Sequence, residues 1–239
     1  MARPLVLAHR GARAVAPENT TEAFDRALAM GADGVELDVH RTADAELVVH
    51  HDAEASGVGI LSEHRLGDIR RARPEIPTLA EALDACHGAL VNIEIKNLPT
   101  DADFDPDETT AELVVGLLGD REGGDEVVVS SFNLSSVDRV RVLEPRIATG
   151  LLVMIGFDPL EALAVCADHG HEALHPFVGM LEGPMAASIV ERAREVDLGV
   201  RTWTVNDGAE IRRLAGAGVD AVITDVPDLA LAALGRVRE

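Results

Sequence analysis

The apolar positions of this chain follow two alternating rhythms. Short runs rich in Val, Ile and Leu at 5–8, 34–39, 90–95, 126–130, 147–153, 172–175, 199–203 and 221–224 read as strands. Between them, 20–30, 79–86, 109–118, 134–143, 160–169, 185–196, 209–215 and 229–237 place apolar residues at helical spacing. Several helix starts are marked chemically: Asn19 with Glu22, Thr78 with Glu81, Asp158 with Pro159 and Glu161, and Asp207 with Glu210 each fit an N-cap followed by an acidic first turn. Regular alternation implies parallel strands joined by helical crossovers. Eight strand–helix pairs in 239 residues predict a TIM (β/α)8 barrel, with a doubly wound open sheet as the competing arrangement. With no composition shift along the chain, 1–239 is expected to be a single domain. Two stretches break the rhythm. Residues 46–50 read as an extra short strand, and 53–77 as a short insertion after the second strand region, expected at the C-terminal face where barrels build their active sites.

Strand polarity then supplies candidate chemistry. Residues two apart share a strand face, so Glu36 and Asp38 point one way while Val35, Leu37 and Val39 point the other. The third strand repeats the pattern, with Asn92, Glu94 and Lys96 on one face and Val91, Ile93 and Ile95 opposite. Burying ionised carboxylates together is costly without a compensating cation. Three convergent oxygens, from Glu36, Asp38 and Glu94, suit a hard divalent metal ion such as Mg²⁺ or Ca²⁺. A plain ion pair of Lys96 with Glu94 or Glu36 is the alternative. His9 ends the first strand and His51 follows the extra one, so both can reach the same mouth, and imidazole titrates where proton transfer is useful.

Charge narrows the ligand. The formal net charge of −21 argues against sequence-independent nucleic-acid binding and against docking on anionic lipid. A phosphate-bearing ligand would need a local positive site, which Arg10 and Lys96 can provide. Lys96 is the only lysine in the chain; every other basic side chain is arginine. No signal-peptide pattern and no apolar run of membrane-spanning length is present, so a soluble, cytoplasmic protein without stable membrane association is expected. Cys86 and Cys166 read as separate buried thiols. Asp101, Asp103, Asp105, Asp107 and Glu112 mimic a calcium-loop spacing, but Pro106 stands where that loop needs glycine, and a solvated connection is expected instead.

Taken in order, His9-Arg10-Gly11, Pro17-Glu18-Asn19-Thr20, Glu36-Leu37-Asp38, His51-Asp52 and Glu94-Ile95-Lys96 resemble the signature of glycerophosphodiester phosphodiesterases. The resemblance continues through Val129-Ser130-Ser131-Phe132, Trp203-Thr204-Val205-Asn206 and Ile223-Thr224-Asp225-Val226-Pro227. It implies a barrel enzyme that cleaves a small glycerophosphodiester to an alcohol and glycerol 3-phosphate. By matching positions, Glu36, Asp38 and Glu94 would hold the metal, His9 and His51 would be the acid–base pair, and Arg10 and Lys96 would contact phosphate; the sequence does not fix the order of the histidines, and His9 is taken as base and His51 as acid. Glu18 falls in the Pro-Glu-Asn-Thr motif as a candidate substrate residue, Asn19 beside it reads equally as a helix cap, and Trp203 reads either as a wall under the glycerol or as core. The sequence departs from the pattern after His51-Asp52, where Ala53-Glu54-Ala55-Ser56-Gly57 stands, so preference for the alcohol is the feature least defined. Two other readings remain: a lysophospholipase D-like or cyclising enzyme on lysolipids, which needs an apolar approach surface that 3% aromatic content does not suggest, and a non-catalytic phosphate-binding barrel.

Overall fold

The computed structural model describes residues 3–121 and 126–236. Eight parallel strands close into a barrel in chain order: β1 (Leu5–His9), β2 (Gly34–Arg41), β3 (Leu90–Ile95), β4 (Val127–Ser131), β5 (Ala148–Val153), β6 (Ala173–Pro176), β7 (Gly199–Thr202) and β8 (Ala221–Thr224). Closure comes from β1, which pairs with β8 through Ala8↔Thr224 and with β2 through His9↔Glu36. The helices are α1 (Thr21–Met30), α2 (Leu66–Ala72), α3 (Leu79–Ala85), α4 (Thr109–Gly119), α5 (Leu134–Leu143), α6 (Pro159–His169), α7 (Met185–Glu195), α8 (Gly208–Ala217) and α9 (Pro227–Ala233). The predicted terminal helix thus starts two residues earlier than expected, and its Val237 lies outside the described residues.

Strand alternation sorts side chains into two layers. Val35, Leu37, Val39, Val91, Ile93 and Ile95 face outward and pack with Phe24, Leu79 and Leu83 of the helices. Leu7, Leu90, Val128, Ala221 and Ile223 face inward and fill the lower barrel, with Trp203 against them. Full burial of each such side chain contributes about 1.5–3 kcal/mol. Gly34 is required where β2 meets β3, because a Cβ there would lie 2.0 Å from the Leu90 carbonyl oxygen.

Caps fall where the sequence places them, with one shift. Thr78 and Glu81 form a complete capping box, and Asp158 and Asp207 accept backbone N–H groups of α6 and α8. At α1, however, the cap is Thr20, which accepts from the Ala23 N–H; Asn19 is displaced into the barrel mouth.

The extra strand is Leu47–Val49, antiparallel on β2. Residues 53–77 hold a two-stranded ribbon, a 3₁₀ turn and α2 around a small core of Val48, Ala55, Leu61, Ile69 and Ile76. The acidic connection after β3 is a correction to the sequence expectation: Asp103, Asp105 and Glu108 are buried, not solvated. Asp103 pairs with the His40 ring at 2.7 Å, Asp105 accepts the Thr109 N–H, and Glu108 accepts from Asn97 and Ser136.

Candidate active site

Register assembles the site. In parallel pairs, partners in register share a face, so His9↔Glu36 and Asp38↔Glu94 put a histidine and three carboxylates side by side across β1, β2 and β3. Oxygen atoms of Glu36, Asp38 and Glu94 all lie within 4.8 Å of one another, and all three side chains are buried. Lys96 donates to Glu94 Oε1 at 2.8 Å and stands 3.5 Å from Asp38 Oδ1. Arg10 Nε lies 3.1 Å from Asp38 Oδ2, while its Nη1 donates to Glu18 Oε1 at 3.0 Å. Glu18 also pairs with Arg13, so it ties two guanidiniums together at the rim.

The turn after β1 explains this placement. Arg10 takes a left-handed backbone (φ 55°) that aims its N–H at Glu36 Oε2, 3.1 Å away. Gly11 follows at φ 79°, and a Cβ on it would lie 2.7 Å from Ala23 of α1. Asn19 is also left-handed (φ 56°), a conformation asparagine tolerates, and its amide donates to Asp38 Oδ2 at 2.8 Å. Asn19 therefore positions a carboxylate, which the capping alternative did not anticipate.

The three carboxylates differ electrostatically. Burial, reinforced by Asp38 and Glu94, raises the Glu36 carboxyl well above the ordinary carboxylate range, and its Oε1 has no hydrogen-bond partner among the described residues. Burial also raises Glu94, with Asp38 adding to the shift and Lys96 opposing it. Burial would raise Asp38 too, but Lys96 and Arg10 outweigh it and hold that carboxylate low. The cluster therefore sets one carboxylate whose charge is favoured beside two whose charged forms burial disfavours. An orphaned buried oxygen amid three convergent carboxylates fits a hard divalent ion.

Both histidines are held by a carboxylate on Nδ1. His9 Nδ1 lies 2.6 Å from Asp225 Oδ1 and His51 Nδ1 lies 2.7 Å from Asp52 Oδ1, so each ring gives its Nδ1–H to an acceptor and turns Nε2 free. His9 Nε2 points toward Glu36, at 4.0 Å. Asp225 is fixed in turn by Asn206, which donates to its Oδ2 at 2.6 Å, and by Arg13 at 3.5 Å. Burial lowers the His51 pKa, opposed by Asp38 and assisted by Lys96 and Arg10.

The candidate catalytic, substrate and metal residues come together in this assembly. His9, Glu36, Glu94 and Trp203 line one narrow hollow with Asn92, Leu152 and Ile223. His51 and Glu18 line a second, bounded by Asn19 and by Arg73, Glu75 and Ile76 of the insertion, and Arg10 and Asp38 connect the two. Trp203 packs on the inner core, donates its indole N–H to the His175 carbonyl and lines the hollow beside His9 and Glu36. Sequence reasoning assigned no role to Asp225, Asn206, Arg13 or Asn92. The signal available for Asp225 was its spacing: two residues beyond the inward Ile223, it must face inward at a strand end.

The structure also corrects the expectation of no apolar approach surface. Met154, Ile155 and Phe157, in the loop after β5, are exposed, and Leu98, Phe132, Leu152, Met154, Phe157 and Val165 line a hollow of about 550 Å³. Leu152 belongs to this hollow and to the inner one, and Phe132 packs edge-on against Trp203 at 5.3 Å. Aromatic content reports how many rings a chain has, not that Phe132 and Phe157 line one hollow.

A closed parallel barrel with charged and titratable groups gathered at its C-terminal mouth is the arrangement of a TIM-barrel enzyme. The sequence model of the Glycerophosphoryl diester phosphodiesterase family matches residues 9–229, and the chain belongs to that family. It is 32% identical to a glycerophosphodiester phosphodiesterase of Caldanaerobacter subterraneus, over 95% of this chain and 96% of that one. Among solved structures it superposes on a glycerophosphodiester phosphodiesterase of Thermotoga maritima with TM-score 0.83 and 25% identity, covering 97% and 99% of the two chains. A phosphodiesterase of Oleispira antarctica in complex with the product sn-glycerol-3-phosphate matches with TM-score 0.84 and 25% identity, covering 98% and 97%. Among the described residues no helix is long and apolar enough to cross a membrane.

Proposed function

We propose that this chain, acting as one barrel domain with 53–77 as a loop at its mouth, hydrolyses small glycerophosphodiesters to an alcohol and glycerol 3-phosphate with a divalent ion, Mg²⁺ or Ca²⁺, held by Glu36, Asp38 and Glu94. The observation that carries the reading is the orphaned Glu36 oxygen inside a triad of buried carboxylates, next to a histidine oriented by its own carboxylate. The names of the relatives, and the glycerol phosphate bound to the Oleispira enzyme, support the substrate class. When bound, such an ion supplies Lewis-acid neutralisation of phosphoryl charge.

The chain's own groups do the rest. Lys96 and Arg10 are the cations nearest the carboxylates and would receive the phosphoryl oxygens. Glu18 steadies the Arg10 fork, and Trp203 forms an apolar floor. His51, whose surroundings favour the neutral ring, takes a proton at Nε2 from the attacking hydroxyl. His9, entering protonated on both ring nitrogens with its Nδ1–H held by Asp225, gives its Nε2 proton to the departing alkoxide. This order reverses the one suggested by sequence. The attacking hydroxyl is water or the substrate's own glycerol hydroxyl, and the latter would pass through a cyclic phosphate.

Product identification after incubation with glycerophosphocholine tests the reading. Choline and glycerol phosphate are expected; accumulation of a cyclic phosphate would make the enzyme a cyclising one, and unchanged substrate would leave a binding barrel. The apolar hollow joined to the site through Leu152 favours a second reading, in which a lysolipid places its acyl chain there.

A further inference from the structure

On the opposite end of the barrel lies a group that the catalytic reading does not use. Asp138 of α5, His169 at the end of α6 and His171 just before β6 bring one ligand atom each within 4.8 Å of one another. His169 Nδ1 is 2.9 and 3.0 Å from the two Asp138 oxygens, and His171 Nε2 is 3.2 Å from Asp138 Oδ1. The two rings stack with centroids 6.0 Å apart.

Hydrogen placement makes His171 informative. The Thr149 hydroxyl donates to Glu172 Oε2 at 3.1 Å, so its oxygen accepts from the His171 Nδ1–H at 2.9 Å. The neutral ring then carries its lone pair on Nε2, which is buried, has no hydrogen-bond partner among the described residues and faces a carboxylate oxygen. Two electron-rich atoms held face to face call for a cation between them. A hydrogen bond on the far nitrogen is the usual support of a metal-binding imidazole.

We infer that Asp138, His169 and His171 form a second metal site, for a late divalent transition ion of the Zn²⁺ type, that ties α5 to the α6–β6 connection away from the catalytic mouth. Two imidazoles and one carboxylate, with water as a fourth ligand, are a donor set suited to such an ion and not to Mg²⁺. Bonds of about 2.0–2.1 Å in a tetrahedron require ligand atoms about 3.3 Å apart. The observed separations of 2.9 and 3.2 Å need to open by only a few tenths of an ångström. His169 and Asp138 are partly exposed and provide the entry path. Arg141 is the nearby opposing charge, and Glu172 already pairs with it at 2.8 Å.

The experiment uses full-length protein stripped by chelation, with Co²⁺ as spectroscopic probe and Zn²⁺ in competition. Wild type and Glu36→Gln should both show the visible absorption of tetrahedral Co²⁺, and Zn²⁺ should displace it. His169→Ala should lose that band and bind Zn²⁺ at this site about 10–100-fold more weakly or worse, the range for losing even a hydrogen bond that orients a ligand. Its Mg²⁺-dependent turnover should match wild type. Asp138→Asn, partly exposed, serves as the second variant and should behave alike. A tetrahedral Co²⁺ signal that survives in both His169→Ala and Asp138→Asn, or that vanishes in Glu36→Gln, would overturn the assignment.

Discussion

Consider Glu36→Gln in metal-free protein. The Glu36, Asp38 and Glu94 oxygens lie within 4.8 Å, and at an effective dielectric of about 20 two unit charges at that separation repel by about 3.5 kcal/mol. Attraction from Lys96 and Arg10 offsets part of this, leaving a strain on the order of 1–3 kcal/mol when Glu36 ionises. Glutamine keeps the oxygen that accepts the Arg10 N–H and removes the charge. The pH dependence follows from the raised Glu36 carboxyl. The folded chain retains a proton that the unfolded chain gives up near pH 4.3, so the stability associated with this group is full below that value and is lost as pH rises through the folded pKa. Glutamine does not titrate. In chelator at pH 8, Glu36→Gln should therefore melt higher than wild type, by roughly 2–12 °C at 2–4 °C per kcal/mol, with the gap narrowing toward pH 5. Added Mg²⁺ should raise wild type through binding to the native state and raise the variant much less. Thermal melts followed by circular dichroism, at several pH values with and without Mg²⁺, measure all of this. A variant that melts below wild type in chelator at pH 8, yet gains as much from Mg²⁺, would refute the reasoning.

Other outcomes follow from the same geometry. With a glycerophosphodiester carrying a p-nitrophenyl leaving group, which departs without protonation, His9→Ala should recover most of its lost kcat while His51→Ala stays depressed by about 10²-fold or more; the reverse pattern would restore the order suggested by sequence. Lys96→Arg keeps the charge but replaces a compact ammonium, wedged between Asp38 and Glu94, with a planar fork that would grip one of them bidentately. Its kcat should fall on the order of 10²-fold with weakened metal affinity, against an Arg192→Lys control that matches wild type. If the apolar hollow receives a chain, lysophosphatidylcholine should be turned over and Phe157→Asp should raise its KM while sparing glycerophosphocholine; equal effects on both substrates would exclude that use.

The barrel was legible because its strands carry two clear faces. Glu36, Asp38 and Glu94 interrupt otherwise apolar strands with period two, and that alone pointed them inward. What the sequence does not state is register. Asp38↔Glu94 and His9↔Glu36 are set by how the closed barrel staggers its strands, and Asp225 meets His9 from 216 positions away only after β8 closes on β1. Asn19 was misread as a cap because Thr20, one residue on, offers the same chemistry and the left-handed turn at Asn19 leaves no mark in composition. The acidic run after β3 looked solvated because partners such as His40 and Ser136 lie on other elements. Helix α2 escaped notice since it is short, has no side-chain cap and buries only Ile69.

The central claim, that Glu36, Asp38 and Glu94 hold a divalent ion on which diester cleavage depends, is tested most directly by turnover of glycerophosphocholine in protein stripped by chelator and then titrated with Mg²⁺, Ca²⁺ or Mn²⁺. The account predicts no turnover in the stripped protein, full recovery on adding one of these ions, and a far higher ion requirement in Glu36→Gln. Undiminished turnover in rigorously metal-free buffer would contradict it.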